Sequence, residues 1–229
     1  EFIDITDQVV AHVKDSGVHD GIVCIFSQHT TAAVKINENE PLLLGDMEEF
    51  LKRVAPADGQ IYWTYPWTDA INITTPILIP DDRIYISAAY DKGAAMLAMR
   101  MAQDTVGVEE LWQSRGMKNW INSSVLHEGY LYGFDGSIFK CIKADTGEKQ
   151  WVQRGFERGS LILADRHLIA LGESGNLAVV EATPEEYRET AGFQIFIGKC
   201  WTQPTFLGGR LYVRDENELV CLNMSAAGI

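Results

Sequence analysis

The sequence predicts a mainly β chain, with about four repeated units of short antiparallel strands preceded by a small α+β fragment. Three observations carry that expectation. Apolar residues at helical spacing are confined to about the first 56 positions, short strands broken by Gly, Asp and Asn dominate after residue 59, and one strand-turn-strand phrase recurs through that second part. The turn-rich Pro56-Ala57-Asp58-Gly59 marks the join, so the expected division is 1–58 and 59–229.

Composition bounds the possibilities. With 229 residues, 46% of them hydrophobic and 22% charged, and a mean hydropathy of -0.07, the chain can bury a core and is not disordered. The apolar stretch around Ala94 to Met101 is broken by Arg100 and falls short of the roughly 18 to 20 residues of a membrane-spanning helix, so no membrane span is expected. An excess of 32 acidic over 19 basic residues, net -13, repels phosphate backbones, and nucleic acid is not an expected partner. Cys24, Cys141, Cys200 and Cys221 form no C-x-x-C pair and have no His at ligand spacing, which reads as small buried hydrophobes rather than a zinc site or disulfide framework. The chain opens without Met or a charged-then-apolar leader, as if a leader were removed or the chain began inside a larger gene, and the compartment stays open between cytoplasm and periplasm.

In chain order, Phe2-Ile3-Asp4-Ile5 reads as a short strand, and Asp7 opens a helix whose Val9, Val10 and Val13 share a face before Gly17 stops it. Gly21 to Phe26 and Ala32 to Asn37 read as strands. Glu40-Pro41 starts a second helix, with Leu43, Met47, Phe50, Leu51 and Val54 on its apolar side. The first unit is thus α+β.

Four copies of the recurring phrase follow. Thr74 to Ile79 leads to Arg83-Ile84-Tyr85-Ile86, Ser123 to Leu126 to Tyr130-Leu131-Tyr132, Ser160 to Leu163 to His167-Leu168-Ile169-Ala170, and Thr202 to Phe206 to Arg210-Leu211-Tyr212-Val213. Their starts lie about 37 to 49 residues apart, the period of one four-stranded β-propeller blade. The second copy continues with a strand from Ser137 to Ile142, a turn at Asp145-Thr146-Gly147 and an outer strand ending on Trp151. The first ends likewise on Trp112. These two tryptophans are expected to wedge between neighbouring blades. Small polar residues that open the copies, including those in the sequon-like Asn72-Ile73-Thr74 and Asn122-Ser123-Ser124, suit the crowded axis better than glycosylation. A third sequon-like triplet is Asn223-Met224-Ser225. Asp135, Asp145 and Asp215 read as turn residues, and Glu185-Glu186 with Tyr187, Arg188 and Glu189 as a solvated turn or helical insert.

Two resemblances cover different parts of the chain. The run from Ser27-Gln28-His29-Thr30-Thr31 to Asn37-Glu38-Asn39-Glu40, with Asp4-Ile5-Thr6, Ser16-Gly17-Val18 and Asp46, resembles the YjbQ family, often named secondary thiamine-phosphate synthases. The resemblance implies a compact sandwich fold, oligomeric assembly and a polar site, with His29, Thr30, Thr31, Asn37, Glu38 and Asp46 as its candidate catalytic residues. The family's second half has no counterpart after residue 59. From Gly59 to Asn223 the chain resembles the pyrroloquinoline-quinone-like β-propeller repeat proteins, through Trp120 to Leu126 running on to Gly136, Ala144-Asp145-Thr146-Gly147, and Gly198 to Pro204. Those propellers usually have more blades than four.

The chemistry weighs against catalysis. A ring nitrogen at His29 and two hydroxyls could converge on a phosphate, but a metal site needs three or four ligands and nothing aims His12 or His19 at it. Neither a vicinal Cys pair nor a calcium cage of about six to eight oxygens can be read, so no quinone, metal or other cofactor is expected. The favoured expectation is a non-catalytic binding or scaffold module on a partial propeller. It self-associates, because open blade edges need covering, and takes a protein or small ligand. The alternatives are a thiamine-phosphate-synthase-like enzyme, a quinone-linked dehydrogenase remnant, and a fusion or chimera without a function of its own.

Overall fold

A computed structural model describes residues 6–15, 63, 65–67, 74–90, 92–102 and 105–224. The chain divides into two compact units, Glu1–Gln60 and Ile61–Ile229. In the first unit the described element is helix α1, Thr6–Asp15, with Asp7 in its first turn, where an acid complements the exposed amide groups. Val10 on this helix is 43% exposed. The strands expected at 2–5, 21–26 and 32–37 and the helix expected from residue 40 lie outside the described residues.

The second unit is mainly β, and its described strands form four antiparallel sheets in sequence order. The first blade comprises β1 (Ile77–Ile79), β2 (Arg83–Ala88), β3 (Gly93–Ala102) and β4 (Thr105–Ser114). The second comprises β5 (Val125–His127), β6 (Tyr130–Asp135), β7 (Ile138–Lys143) and β8 (Lys149–Gln153). The third comprises β9 (Gly159–Ala164), β10 (His167–Gly172), β11 (Asn176–Glu181) and β12 (Glu189–Gln194). The fourth has three described strands, β13 (Thr205–Leu207), β14 (Arg210–Arg214) and β15 (Leu219–Asn223). Each sheet is a meander of hairpins, the architecture of a propeller blade.

The repeat is visible in the register. Ile77, Tyr85, Met96 and Trp112 stand side by side across the first blade, as Val125, Tyr132, Cys141 and Trp151 do across the second. The third blade has Ile162, Ile169, Val179 and Ala191 in the same row, so the outer tryptophan is absent there. One β-bulge recurs at the same place in all three, after Met96, Cys141 and Val179, each time just before the outer-strand position of that row. A bulge twists the strand locally, and here it re-aims the outer strand at the point where the tryptophan must turn toward the next blade.

Blades are held by apolar faces with a polar seam at their inner ends. Tyr85, Met96, Met117, Leu131 and Ile142 form the core between the first and second blades. Tyr132, Phe139, Trp151, Leu161 and Leu168 form that between the second and third, and Ile169, Leu171, Phe196, Leu211 and Val213 that between the third and fourth. The Trp112 indole donates to the Ala144 carbonyl at 2.9 Å and the Trp151 indole to the Thr183 carbonyl at 2.8 Å, each reaching into the following blade. At the axis the residues that open the repeats do the stitching. The Thr75 amide donates to Ser123 Oγ at 2.8 Å, Ser160 Oγ to the Thr202 carbonyl at 3.1 Å, and Gln203 Nε2 to the Leu161 carbonyl at 3.1 Å.

Of the three aspartates expected in turns, only Asp215 serves its own turn, accepting from the amides of Asn217 and Glu218. Asp145 instead takes Arg83 of the preceding blade at 2.6 Å. Asp135 accepts the Lys118 amide at 3.1 Å from the linker between the first two blades and pairs with Lys140. Burial pushes the Asp135 carboxyl up, but the hydrogen bonds from Lys140 and Lys118 and their two charges outweigh it and hold the carboxyl below its ordinary range. The acidic segment at 185–189 is a turn leading into β12. Its Tyr187 packs on the core between the second and third blades, edge to face with Trp151 at 5.7 Å.

Candidate functional site

Val125, Ile162 and Thr205 occupy one register position on the inner strands of the second, third and fourth blades, and four residues before them stand Ile121, Arg158 and Trp201. Because inner strands converge on one axis, side chains there can meet across non-adjacent blades. Trp120, from the linker into the second blade, lies 6.2 Å from Trp201, from the linker into the fourth, at an interplanar angle of 71°. Trp120 also meets Tyr90, from the β2–β3 turn of the first blade, at 6.3 Å and 86°. Edge-to-face contacts of this kind place the positive ring edge on a negative face.

Charged groups complete the cluster. The Arg158 guanidinium lies 3.7 Å from the centre of the Trp120 ring and Lys199 Nζ lies 4.6 Å from that of Trp201. Both are cation–π geometries. Glu173, just beyond β10, ties the two linkers together. Its carboxylate accepts the Trp201 indole N–H at 2.8 Å and faces Arg158 at 3.8 Å, while its carbonyl accepts the Cys200 amide at 2.8 Å. The cluster is held by backbone and yet open, with Tyr90 59% and Trp201 47% exposed. Such an arrangement offers ring surfaces flanked by cations. Along the inner strands β9 and β13 runs a cleft of about 490 Å³ lined by Ile162, Ala164, Asp165, Gln203 and Phe206.

The candidate residues His29, Thr30, Thr31, Asn37, Glu38 and Asp46 lie outside the described residues, so the structure neither gathers nor separates them. Among the described residues no group of three or more His, Cys, Asp or Glu side chains stands close enough to share a metal ion. No helix among them is long and apolar enough to cross a membrane. Cys141 and Cys200 are buried. Burial pushes the Cys141 thiol up to about 12 and the Cys200 thiol up to about 11, which keeps both protonated and inert, whereas Cys221 is exposed. Sequence reasoning missed the aromatic cluster. Its signal was a tryptophan at Trp120 and Trp201, four or five residues ahead of an inner strand in two repeats.

Comparison with known proteins finds a family match at the N-terminal end of the chain, running past Gln60 into the second unit. The family described as UPF0047 protein YjbQ-like matches residues 1–72. A UPF0047 protein of Methanothermobacter thermautotrophicus is 47% identical over 59 residues, 26% of this chain and 41% of that protein. The UPF0047 protein YjbQ of Escherichia coli O157:H7 is 33% identical over 67 residues, 28% of this chain and 49% of that protein. This chain therefore spans less than half the length of these curated relatives. Among solved structures, BamB from Moraxella catarrhalis has a TM-score of 0.46 at 17% identity, covering 66% of this chain and 42% of that one. AztD from Citrobacter koseri has a TM-score of 0.45 at 11% identity, covering 63% and 42%. The chain thus joins a YjbQ-like N-terminal segment to a mainly β unit of propeller-type blades.

Proposed function

We propose that this chain is a non-catalytic binding module that works as a homo-oligomer, with the aromatic cluster at the inner ends of the blades as its ligand-binding surface. The carrying observation is the convergence of Tyr90, Trp120 and Trp201, two of them about half exposed, with Arg158 and Lys199 on their faces. Ring faces and cations together suit an extended protein segment that brings an aromatic side chain and a carboxylate. Titration of tryptophan fluorescence with a short acidic peptide containing phenylalanine and tyrosine is expected to show saturable quenching. Trp201→Ala should abolish it and leave the fold intact. Identical quenching in that variant, or none in the parent chain, overturns the reading.

A second reading is favoured by the family match over residues 1–72, which spans His29, Thr30, Thr31, Asn37, Glu38 and Asp46. In it the N-terminal segment has a thiamine-phosphate-synthase-like activity. Formation of thiamine phosphate by the full chain, lost in His29→Ala, would establish it in place of the binding module. The dehydrogenase alternative predicts dye-linked alcohol oxidation on adding pyrroloquinoline quinone and calcium, and the binding reading predicts none.

A further inference from the structure

We propose that Glu173 is a positioning residue of the aromatic surface. Without touching the ligand it presets the Trp201 ring and restrains the charge of Arg158, and so sets both how tightly and how selectively an acidic segment binds. This inference rests on the binding reading above. Trp201 is 47% exposed, which leaves its ring a choice of rotamers unless something fixes it. The 2.8 Å bond from its indole N–H to the Glu173 carboxylate does so. That carboxylate is itself firmly held. The Glu173 side chain is 14% exposed, against 46% for Arg158, and its backbone is tied to both linkers. Its amide donates to the carbonyls of Phe156 and Arg158, and its carbonyl accepts the Cys200 amide at 2.8 Å.

The fold builds this seat. Glu173 opens the turn between β10 and β11, and two glycines let that turn press onto the linkers into the third and fourth blades. A Cβ at Gly172 would lie 2.6 Å from the Phe156 carbonyl oxygen, and one at Gly175, where φ is +86°, would strike that of Phe196. Two nearby carboxylates are engaged elsewhere, since Glu157 accepts Ser174 Oγ at 2.8 Å and Asp215 accepts the amides of its own turn. Among the described residues Glu173 is therefore the carboxylate that meets the cluster. Its two duties act on an acidic ligand with opposite signs. The indole bond favours binding, because a ring held ready loses less freedom when the ligand arrives. The charge opposes it, because at 3.8 Å the carboxylate offsets part of the Arg158 guanidinium and repels an incoming acid.

The test titrates the full chain and two Glu173 variants with the acidic peptide containing phenylalanine and tyrosine, and with the same peptide carrying amides in place of its carboxylates. The proton NMR signal of the Trp201 indole N–H, assigned by its loss in Trp201→Ala, is followed beside it. Glu173→Ala removes the indole's acceptor, so that signal should exchange faster with water and affinity for either peptide should fall about fivefold or more. Glu173→Gln keeps an acceptor oxygen and removes the charge. Its indole signal should stay protected, its affinity for the amide peptide should match the parent's, and its affinity for the acidic peptide should rise about two- to fivefold. A residue that merely held the turn together would lower both affinities in both variants. Unchanged melting separates lost binding from lost folding, and if Glu173→Ala does not fold, Glu173→Gln decides alone. Variants that weaken the acidic peptide alike, or leave its affinity unchanged, overturn the proposal and leave the binding surface standing. A parent chain that binds neither peptide overturns the binding reading and this proposal with it.

Discussion

Replacing Trp151 by Ala removes the wedge between the second and third blades, and its cost can be worked from the contacts. The side chain is 7% exposed and packs on Tyr132, Phe139 and Tyr187 at 5.9, 5.3 and 5.7 Å. An aromatic of this kind buries about 150 to 250 Å², which at about 25 cal/mol per Å² corresponds to about 4 to 6 kcal/mol. Residual burial in the unfolded chain trims this by roughly 10 to 40%, bringing it into the range of about 3 to 5 kcal/mol typical of such truncations. The Thr183 carbonyl also loses its donor, adding about 1 kcal/mol. We expect a loss of about 4 to 5 kcal/mol, and of about 2 to 3 kcal/mol for Trp112→Ala because that ring is only half-buried. Urea denaturation followed by circular dichroism reads both. With an m-value of about 2 kcal/mol/M, the Trp151→Ala midpoint should fall by about 2 M. An unchanged midpoint for Trp151→Ala would refute the wedge, and equal losses for the two variants would refute the reasoning from burial.

Two further outcomes follow from the seams. The Asp135 carboxyl is held below its unfolded value of about 3.9, so its pairing contributes stability above that pH that is lost as pH falls through the lowered folded value. Asp135→Asn should therefore lower the melting temperature at pH 7 and converge with the parent at the acid end, and parallel curves down to pH 2 would contradict this. The buried Tyr132 hydroxyl faces only the weak Cys141 thiol and makes no regular hydrogen bond, so Tyr132→Phe should be neutral or stabilising by about 1 kcal/mol in the same urea assay, and a clear destabilisation would contradict this.

Much of the blade architecture was legible because the repeat is written in strand-turn-strand phrases with small polar openings. Tyr85, Tyr132 and Tyr212 occupy one register position in three copies, and Trp112 and Trp151 another. The long β3–β4 hairpin was less legible, since the run from Ala94 to Met101 is too uniformly apolar for alternation to show. Apart from the two tryptophan wedges and the small polar openings, contacts between blades were not legible. Asp135 and Asp145 have the local text of turn residues, and their partners Lys118 and Arg83 lie far away in sequence. The aromatic cluster was hidden for the same reason, because Trp120 and Trp201 become neighbours only when inner strands from different blades converge.

The order and inner contacts of the blades are the ground on which the binding surface stands, and paired cysteines test them most directly. The Thr75 amide and Ser123 Oγ lie 2.8 Å apart across the first and second blades, and Ser160 Oγ and the Thr202 carbonyl 3.1 Å apart across the third and fourth. Such contacts hold the two backbones near enough that cysteines at the paired positions should meet with little backbone movement. In Thr75→Cys with Ser123→Cys, and in Ser160→Cys with Thr202→Cys, mild oxidation of the native chain should yield the corresponding intramolecular disulfide, read by peptide mapping, and neither should form in urea. Free thiols at both pairs in the native chain would contradict the arrangement of blades.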